Sequence, residues 1–168
     1  MGLGEFPSHP QEWRYLMAVR AALEPLAAAL AAQNHQPADI AALEQNVEAM
    51  RHAQTLERKV AVGVAFHGSM ARASGNAVLS GLISNLLAPF VSSHELTLSI
   101  DVGVADGIFD HEEILAAIRA RNADVARRLV DEHLARTAEI LEGLITGQAT
   151  PQRKTRGRSR TLSQETLA

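Results

Sequence analysis

Apolar residues recur at intervals of three and four along most of this chain, the spacing that places them on one face of an α-helix. In one segment, for example, Ile40, Leu43, Val47 and Met50 form a single stripe. The pattern predicts six helices, over residues 10–33, 38–53, 56–74, 77–91, 111–121 and 123–145. Pro25 lies inside the first of them, where a proline favours a kink. The chain is therefore expected to be all-α.

Residues 92–109 are the least regular part of the chain. The stretch LTLSIDV alternates weakly in the manner of a strand, but Gly103 and Gly107 interrupt it, so a strand, a short helix and a loop all stay open. Asp110, with Glu113 three residues later, is typical of an N-cap and predicts a helix that starts at His111.

The two ends differ in composition from the middle. We expect an N-terminal leader over residues 1–10, one helical domain over 11–147 and a basic tail over 148–168. The tail has five basic residues within the eight positions of RKTRGRSR and almost no apolar content, which predicts disorder. So short a basic end is more typical of a solubilising terminus than of a nucleic-acid contact.

Composition narrows the class of protein further. Hydrophobic residues make up 46% of the chain and aromatic residues 4%, so the core must be built from aliphatic side chains. The absence of cysteine excludes disulfides and thiolate metal sites. No signal peptide and no uncharged apolar stretch of about 18 residues is present. We expect a soluble, cytoplasmic protein without a membrane span.

Three histidines lie on apolar helical stripes, each in a different predicted helix: His67, His111 and His133. A single inward histidine is more often a core residue bonded to a neighbour than a metal ligand. Three that converge would each lose hydration, and a divalent metal that accepts their lone pairs would remove that cost. Neutral imidazole suits zinc, nickel, copper or iron, of which zinc and nickel are the leading candidates. Spacing alone does not show convergence.

Two further residues are candidates for binding a ligand. Arg20 lies on an apolar stripe, where a guanidinium needs an anionic partner. That partner is either an internal carboxylate such as Glu24 or the carboxylate of a bound ligand, which arginine can hold through two hydrogen bonds. Asn76 either faces a cavity or caps a helix, and the sequence leaves both open.

Three blocks of sequence, VRAALEPLAAALAA, AFHGSMARASGN and HEEILAAIRARNADVARRLVDEHL, occur in this order between Trp13 and Leu144. Together they resemble the FCD domain, the C-terminal effector-binding domain in the FadR branch of GntR-type bacterial transcription regulators. The FH–ASGN block and the histidines of the last block are the most specific parts of the resemblance.

The resemblance implies an antiparallel bundle of six to seven helices around a polar cavity for a ligand and a metal. It implies a divalent metal held by one aspartate and three histidines, and the histidines match His67, His111 and His133. The family aspartate lies four residues before the first histidine, where this chain has Gly63. Either an anionic effector meets the metal more directly here, or the site no longer holds a metal.

The resemblance also implies a winged-helix DNA-reading domain ahead of the bundle, and about ten residues precede the first predicted helix here. The sequence is therefore expected to be a fragment or a free-standing sensor. In either case we expect a domain that senses a small carboxylate and dimerises, and that meets DNA only through a winged-helix domain not present in this sequence. A homodimer is expected because operators with two half-sites mirror two-fold symmetry.

Two other functions stay open. A helical metal-dependent hydrolase could use a three-histidine zinc to activate water. It would need a general base, and the nearest acids, Glu112 and Glu113, point away from the face that carries His111. The chain could also be a structural helical interaction module. The resemblance favours a regulator over an enzyme.

Overall fold

The computed structural model describes residues 10–92 and 104–147. Within these ranges the chain forms six α-helices and no strand, which confirms the prediction of an all-α antiparallel bundle. The helices are α1 (Pro10–Asn34), α2 (Pro37–Arg51), α3 (Leu56–Ala73), α4 (Ala77–Ser92), α5 (Val104–Arg119) and α6 (Ala123–Thr146). The basic tail, nearly all of the leader and residues 93–103 lie outside the described residues.

Short polar side chains set where the helices around the middle of the chain begin. The Thr55 hydroxyl accepts a hydrogen bond from the backbone N–H of Arg58 at 3.2 Å, at the start of α3. Asn76 Oδ1 accepts one from the N–H of Leu79 at 3.0 Å, at the start of α4. Between these two helices Gly75 has a φ of +71°, a left-handed conformation that glycine adopts without strain. The turn therefore follows directly from the sequence SGN.

Helix α1 is the central helix of the bundle. It packs along α6 and also contacts α3, α4 and α5. Its inward face is rich in alanine, and Ala27, Ala28 and Ala31 are fully buried, which lets neighbouring helices approach closely. The helix is continuous through Pro25, which is also buried. The predicted first helix is thus the element against which most of the others pack.

Judged by length and composition alone, one helix in the described part of the chain, α1, is long and apolar enough to cross a membrane. Packing gives its apolar character another cause, since its inward face forms part of the core and carries the buried Arg20 and Glu24. A helix that is apolar on most sides is typical of the centre of a bundle.

Aliphatic residues form most of the core, as the composition predicts. A larger cluster has members from all six helices, and its fully buried members include Phe66, Ile114 and Ile118. A smaller cluster joins α1, α3 and α4 around Ile83. Each such side chain contributes about 1.5–3 kcal/mol through burial. These contacts hold α3, α5 and α6 in the positions from which their histidines project.

Helix α5 begins earlier than the sequence predicts. It starts at Val104, so Asp110 lies well inside the helix, and the prediction that Asp110 is an N-cap is wrong. Residues 104–109, where strand, helix and loop were all open, are helical. The reason is tertiary: the Asp110 carboxylate turns towards α6, where it contacts His133 and Arg136 instead of capping its own helix.

Replacement of Asn76 by alanine should lower the free energy of unfolding by about 1 kcal/mol, because the N–H of Leu79 loses its acceptor. Urea denaturation measures the change. Asn85→Ala is the matched control in the same helix, since the exposed Asn85 side chain bonds to the Gly81 carbonyl of its own helix and caps no helix start. Its effect should stay within about 0.5 kcal/mol. Equal losses in both variants would contradict the capping role.

Candidate metal centre

The three histidines on the apolar stripes meet in the interior of the bundle. His67 comes from α3, His111 from α5 and His133 from α6, and their exposed fractions are 3%, 4% and 8%. The distance from His67 Nε2 to His133 Nε2 is 3.2 Å, and that from His111 Nε2 to His67 Nε2 is also 3.2 Å. The donor nitrogens of all three lie within 4.8 Å of one another. Residues 44 and 66 positions apart in the chain thus converge.

These distances suit a shared metal ion. Zinc binds imidazole nitrogen at about 2.0–2.1 Å with tetrahedral geometry, which places neighbouring ligand atoms about 3.4 Å apart. The two measured separations of 3.2 Å are close to that value. Three donors in this arrangement would leave one tetrahedral position open.

Carboxylates hold the outer nitrogens of two of the rings. His67 Nδ1 lies 2.6 Å from Glu24 Oε2, and His133 Nδ1 lies 3.1 Å from Asp110 Oδ2. At His133 the contact has the geometry of a hydrogen bond, which favours the proton on Nδ1. At His67 the carboxylate is close but not aligned as a hydrogen bond, and its negative charge still favours the proton on Nδ1. In the neutral ring the other nitrogen, Nε2, then presents a lone pair. This arrangement of carboxylate, imidazole and inward lone pair is typical of histidines that bind metals.

The third ring, that of His111, has a weaker partner on its outer nitrogen. His111 Nδ1 lies 3.4 Å from Met50 Sδ, and a thioether sulfur is a weak acceptor. A methyl group built on Gly63 would lie 3.7 Å from His111 Cε1 and 3.9 Å from Met50 Cε, which are ordinary contact distances. The glycine therefore leaves space for a methyl group beside His111, in the position where the resemblance places an aspartate.

Arg20 and Glu24 form a buried ion pair one helical turn apart on α1. Arg20 Nε lies 2.5 Å from Glu24 Oε1, and the exposed fractions of the residues are 4% and 0%. Burial by itself would raise the pKa of Glu24, but Arg20 and His67 outweigh it and hold that pKa far below its usual range. Of the two partners considered for Arg20, the internal carboxylate is present. Whether Arg20 also binds a ligand stays a prediction.

Asp110 is held in a similar way on the other side of the cluster. Arg136 Nη2 lies 2.7 Å from Asp110 Oδ2, the oxygen that also faces His133 Nδ1. Burial tends to raise the pKa of Asp110, but the hydrogen bonds from His133 and Arg136 lower it below its ordinary value. Two of the three histidines thus have a carboxylate that is in turn paired with an arginine.

Burial keeps two of the imidazoles neutral. It lowers the pKa of His111 well below the usual value, and repulsion between a protonated His111 and positive charge at its neighbours His133, His67 and Arg20 lowers it further. Burial also lowers the pKa of His133, and the carboxylate of Asp110 only partly opposes this effect. At neutral pH these rings therefore offer lone pairs and not protons.

Asn76 acts as a helix cap in the structure. Its side chain is exposed and caps α4 through the N–H of Leu79. Of the two roles left open by the sequence, capping is the one seen, and a ligand contact stays a prediction without a supporting contact.

Sequence reasoning did not place four residues beside the histidines: Glu24 was considered only as a partner of Arg20, Asp110 only as a cap, Met50 only as a core residue, and Arg136 not at all. Signals for them existed. Glu24 follows Arg20 by one helical turn on the buried face, and Arg136 follows His133 by three residues. The contact of Asp110 with α6 had no local signal, because a cap and a buried acceptor look alike beside His111.

Comparison with known proteins identifies the fold. The family model of the FCD domain matches residues 15–136. Among solved structures, that of E. coli McbR/YncC is similar, with a TM-score of 0.67 and 24% identity over 79% of this chain and 65% of that chain. At this identity the likeness shows a shared fold, and this chain spans about two thirds of that protein's length. No curated protein matches the sequence.

The lowered pKa values of His111 and His133 predict that the metal-free protein loses stability in mild acid. Below the unfolded value of about 6.5 the unfolded chain binds more protons than the folded chain, so stability is greatest above this pH and falls below it. The slope should reach about 1.4 kcal/mol per pH unit for each group. Urea denaturation between about pH 7 and pH 5 measures it, and His111→Gln should flatten the profile. A wild-type profile without slope would refute the expectation.

Proposed function

Because this chain belongs to the FCD family, the effector-binding domain of GntR-type transcription regulators, we propose that it senses a small organic acid at a divalent metal. His67, His111 and His133 would hold the metal. Sensing would control DNA binding by a winged-helix domain that lies outside these 168 residues. The main support is the convergence of three buried imidazoles, whose donor nitrogens lie within 4.8 Å of one another and at 3.2 Å for two of the pairs.

The charges around the site favour an anionic effector. A divalent metal bound there, with zinc or nickel the leading candidates, would supply two positive charges and an open coordination position. The two carboxylates next to the histidines are already paired with Arg20 and Arg136, so neither is left to balance that added charge. Gly63 contributes no carboxylate either. A buried, uncompensated charge is costly, and the carboxylate of an effector would reduce that cost.

Two features of the chain suit the effector's position. The space beside Gly63 adjoins the His111 ring and has room for at least a methyl group. Arg20 reaches the same cluster through Glu24 and could anchor a second oxygen of the acid by hydrogen bonds.

The helices that carry the histidines offer a route from binding to regulation. The three ligands come from α3, α5 and α6, and Glu24 comes from α1, so the occupied site would hold four helices together. Effector binding would then favour one packing of these helices over another, and shift the placement of the attached DNA-reading domain.

A regulator accounts for the site better than a hydrolase does. Glu112, one of the acids considered as a general base, pairs with Arg51 at 2.7 Å, and Glu113 is exposed. Glu24 and Asp110 are closer, but each is bound by both an arginine and a histidine. We propose a cytoplasmic sensor without catalytic activity.

The metal site is tested by zinc content and thermal stability. Wild-type protein should bind one zinc per chain, and free zinc at 100 times its Kd should add about 2.7 kcal/mol of stability. His133→Ala should lose this binding. His52→Ala is the matched control, since the exposed His52 pairs with Glu48 on its own side of the molecule's surface and not with the histidine cluster. Small organic acids should then raise the Tm of the zinc-bound protein and not of chelator-treated protein. Equal zinc binding by His133→Ala and wild type would contradict the proposal.

We further propose that the chain forms a homodimer through the outer face of α1. From residue 15 to residue 26 every exposed residue of this helix is uncharged: Tyr15, Ala18, Val19, Ala21, Ala22 and Leu26. Beside this face a groove of about 450 Å³ between α1 and α6 is lined partly by Ala18, Ala21, Ala135 and Ala138. Large side chains and an alanine-lined groove on one face suit a second copy related by a two-fold axis, because each copy can fill the other's groove.

Val19→Glu should shift the protein towards monomer, because the substitution would bury a charge in the contact. Sedimentation velocity of the full chain measures the change. Val78→Glu on α4 is the control: Val78 is 75% exposed and lies outside the proposed face, so the dimer should persist. A monomeric wild type, or equal dissociation of both variants, would rule out this interface.

A further inference from the structure

The carboxylate of Glu24 has two partners of different kinds. Its Oε1 lies 2.5 Å from Arg20 Nε, and its Oε2 lies 2.6 Å from His67 Nδ1. The side chain is fully enclosed, so water cannot replace either partner. Whatever strengthens one of these contacts draws negative charge away from the other.

The guanidinium of Arg20 has fewer strong hydrogen-bond partners than the carboxylate of Glu24. Apart from the carboxylate, the contacts seen for its guanidinium within the described residues are the Met17 sulfur at 3.7 Å and the face of the Phe90 ring at 4.6 Å. A thioether and an aromatic ring are weak partners for a guanidinium with five N–H donors. The guanidinium therefore has capacity for an anion, provided that its hold on Glu24 loosens.

We propose that Glu24 couples anion binding at Arg20 to metal binding at His67, and this inference rests on the function proposed above. An anion on Arg20 would leave the Glu24 carboxylate less neutralised, so the carboxylate would attract a proton on His67 Nδ1 more strongly across their 2.6 Å contact. His67 Nε2 would then be a better donor to the metal. By linkage, occupation of the metal site would favour the anion by the same factor. Glu24 is thus a positioning residue that makes the two ligands cooperative.

Asp110 provides the comparison, because it supports His133 in the same manner but has Arg136 and not Arg20 as its cationic partner. Loss of either carboxylate should weaken zinc binding by about tenfold or more. Only loss of Glu24 should also remove the effect of an anion at Arg20. This difference separates coupling from simple support of a ligand.

The test measures zinc affinity of the full chain by competition with a chromogenic chelator, with sodium acetate or with sodium chloride at equal ionic strength. Acetate should raise the zinc affinity of wild type and of Asp110→Asn by about fivefold or more. For Glu24→Gln the increase should fall below about twofold. Glu142→Gln, which removes an exposed carboxylate paired with Arg14, should behave as wild type.

If Glu24→Gln alone does not fold, the double variant Arg20→Met/Glu24→Gln replaces it in this test. The double variant removes both charges of the buried pair, so neither is left unpaired in the core. It should bind zinc more weakly than wild type and show no acetate effect. Equal acetate effects in the Glu24 variants and Asp110→Asn would overturn the coupling while the metal site stands. If wild type itself binds no zinc, the proposed function fails and the coupling fails with it.

Discussion

Three imidazole nitrogens that converge in the buried interior, with two of their separations at 3.2 Å, are the constraint around which this bundle is organised. Lone pairs so arranged repel each other unless a cation, either a metal ion or a shared proton, lies among them. The partners on the outer nitrogens keep the rings in this orientation, since the carboxylates of Glu24 and Asp110 hold protons on His67 and His133. Without a cation the cluster therefore destabilises the folded state, and the aliphatic packing around it has to offset this cost.

The support of the three rings is unequal. Two are backed by a carboxylate that is itself paired with an arginine, whereas His111 is backed by the sulfur of Met50. His111 also adjoins the space left by Gly63. A ring with a weak outer partner and room beside it can adjust its orientation at lower cost than the other two. The side of the site near α5 is thus where an incoming ligand would meet the least resistance.

Most of the fold was predictable, because the three-and-four spacing of apolar residues determines which face of each helix is buried. The same spacing placed His67, His111 and His133 inward, and all three are buried. The contacts on their outer nitrogens were not predictable, since they depend on how helices distant in sequence approach each other. Asp110 shows why: next to a histidine and before a helical pattern it resembles a cap, and only the docking of α5 against α6 reveals its partners. Gly63 was recognisable as a missing side chain, but not as a neighbour of Met50.

The separation of the histidines along the chain has a consequence for the order of folding. His67 lies 44 residues before His111 and 66 residues before His133, so both contacts close long loops. Closing such loops costs chain entropy, which must be offset by hydrophobic docking before the contacts can form. The cluster should therefore assemble with, or after, the hydrophobic docking of α3, α5 and α6. A newly synthesised chain would reach its native topology without help from an ion, and the ion would enter a bundle that already exists.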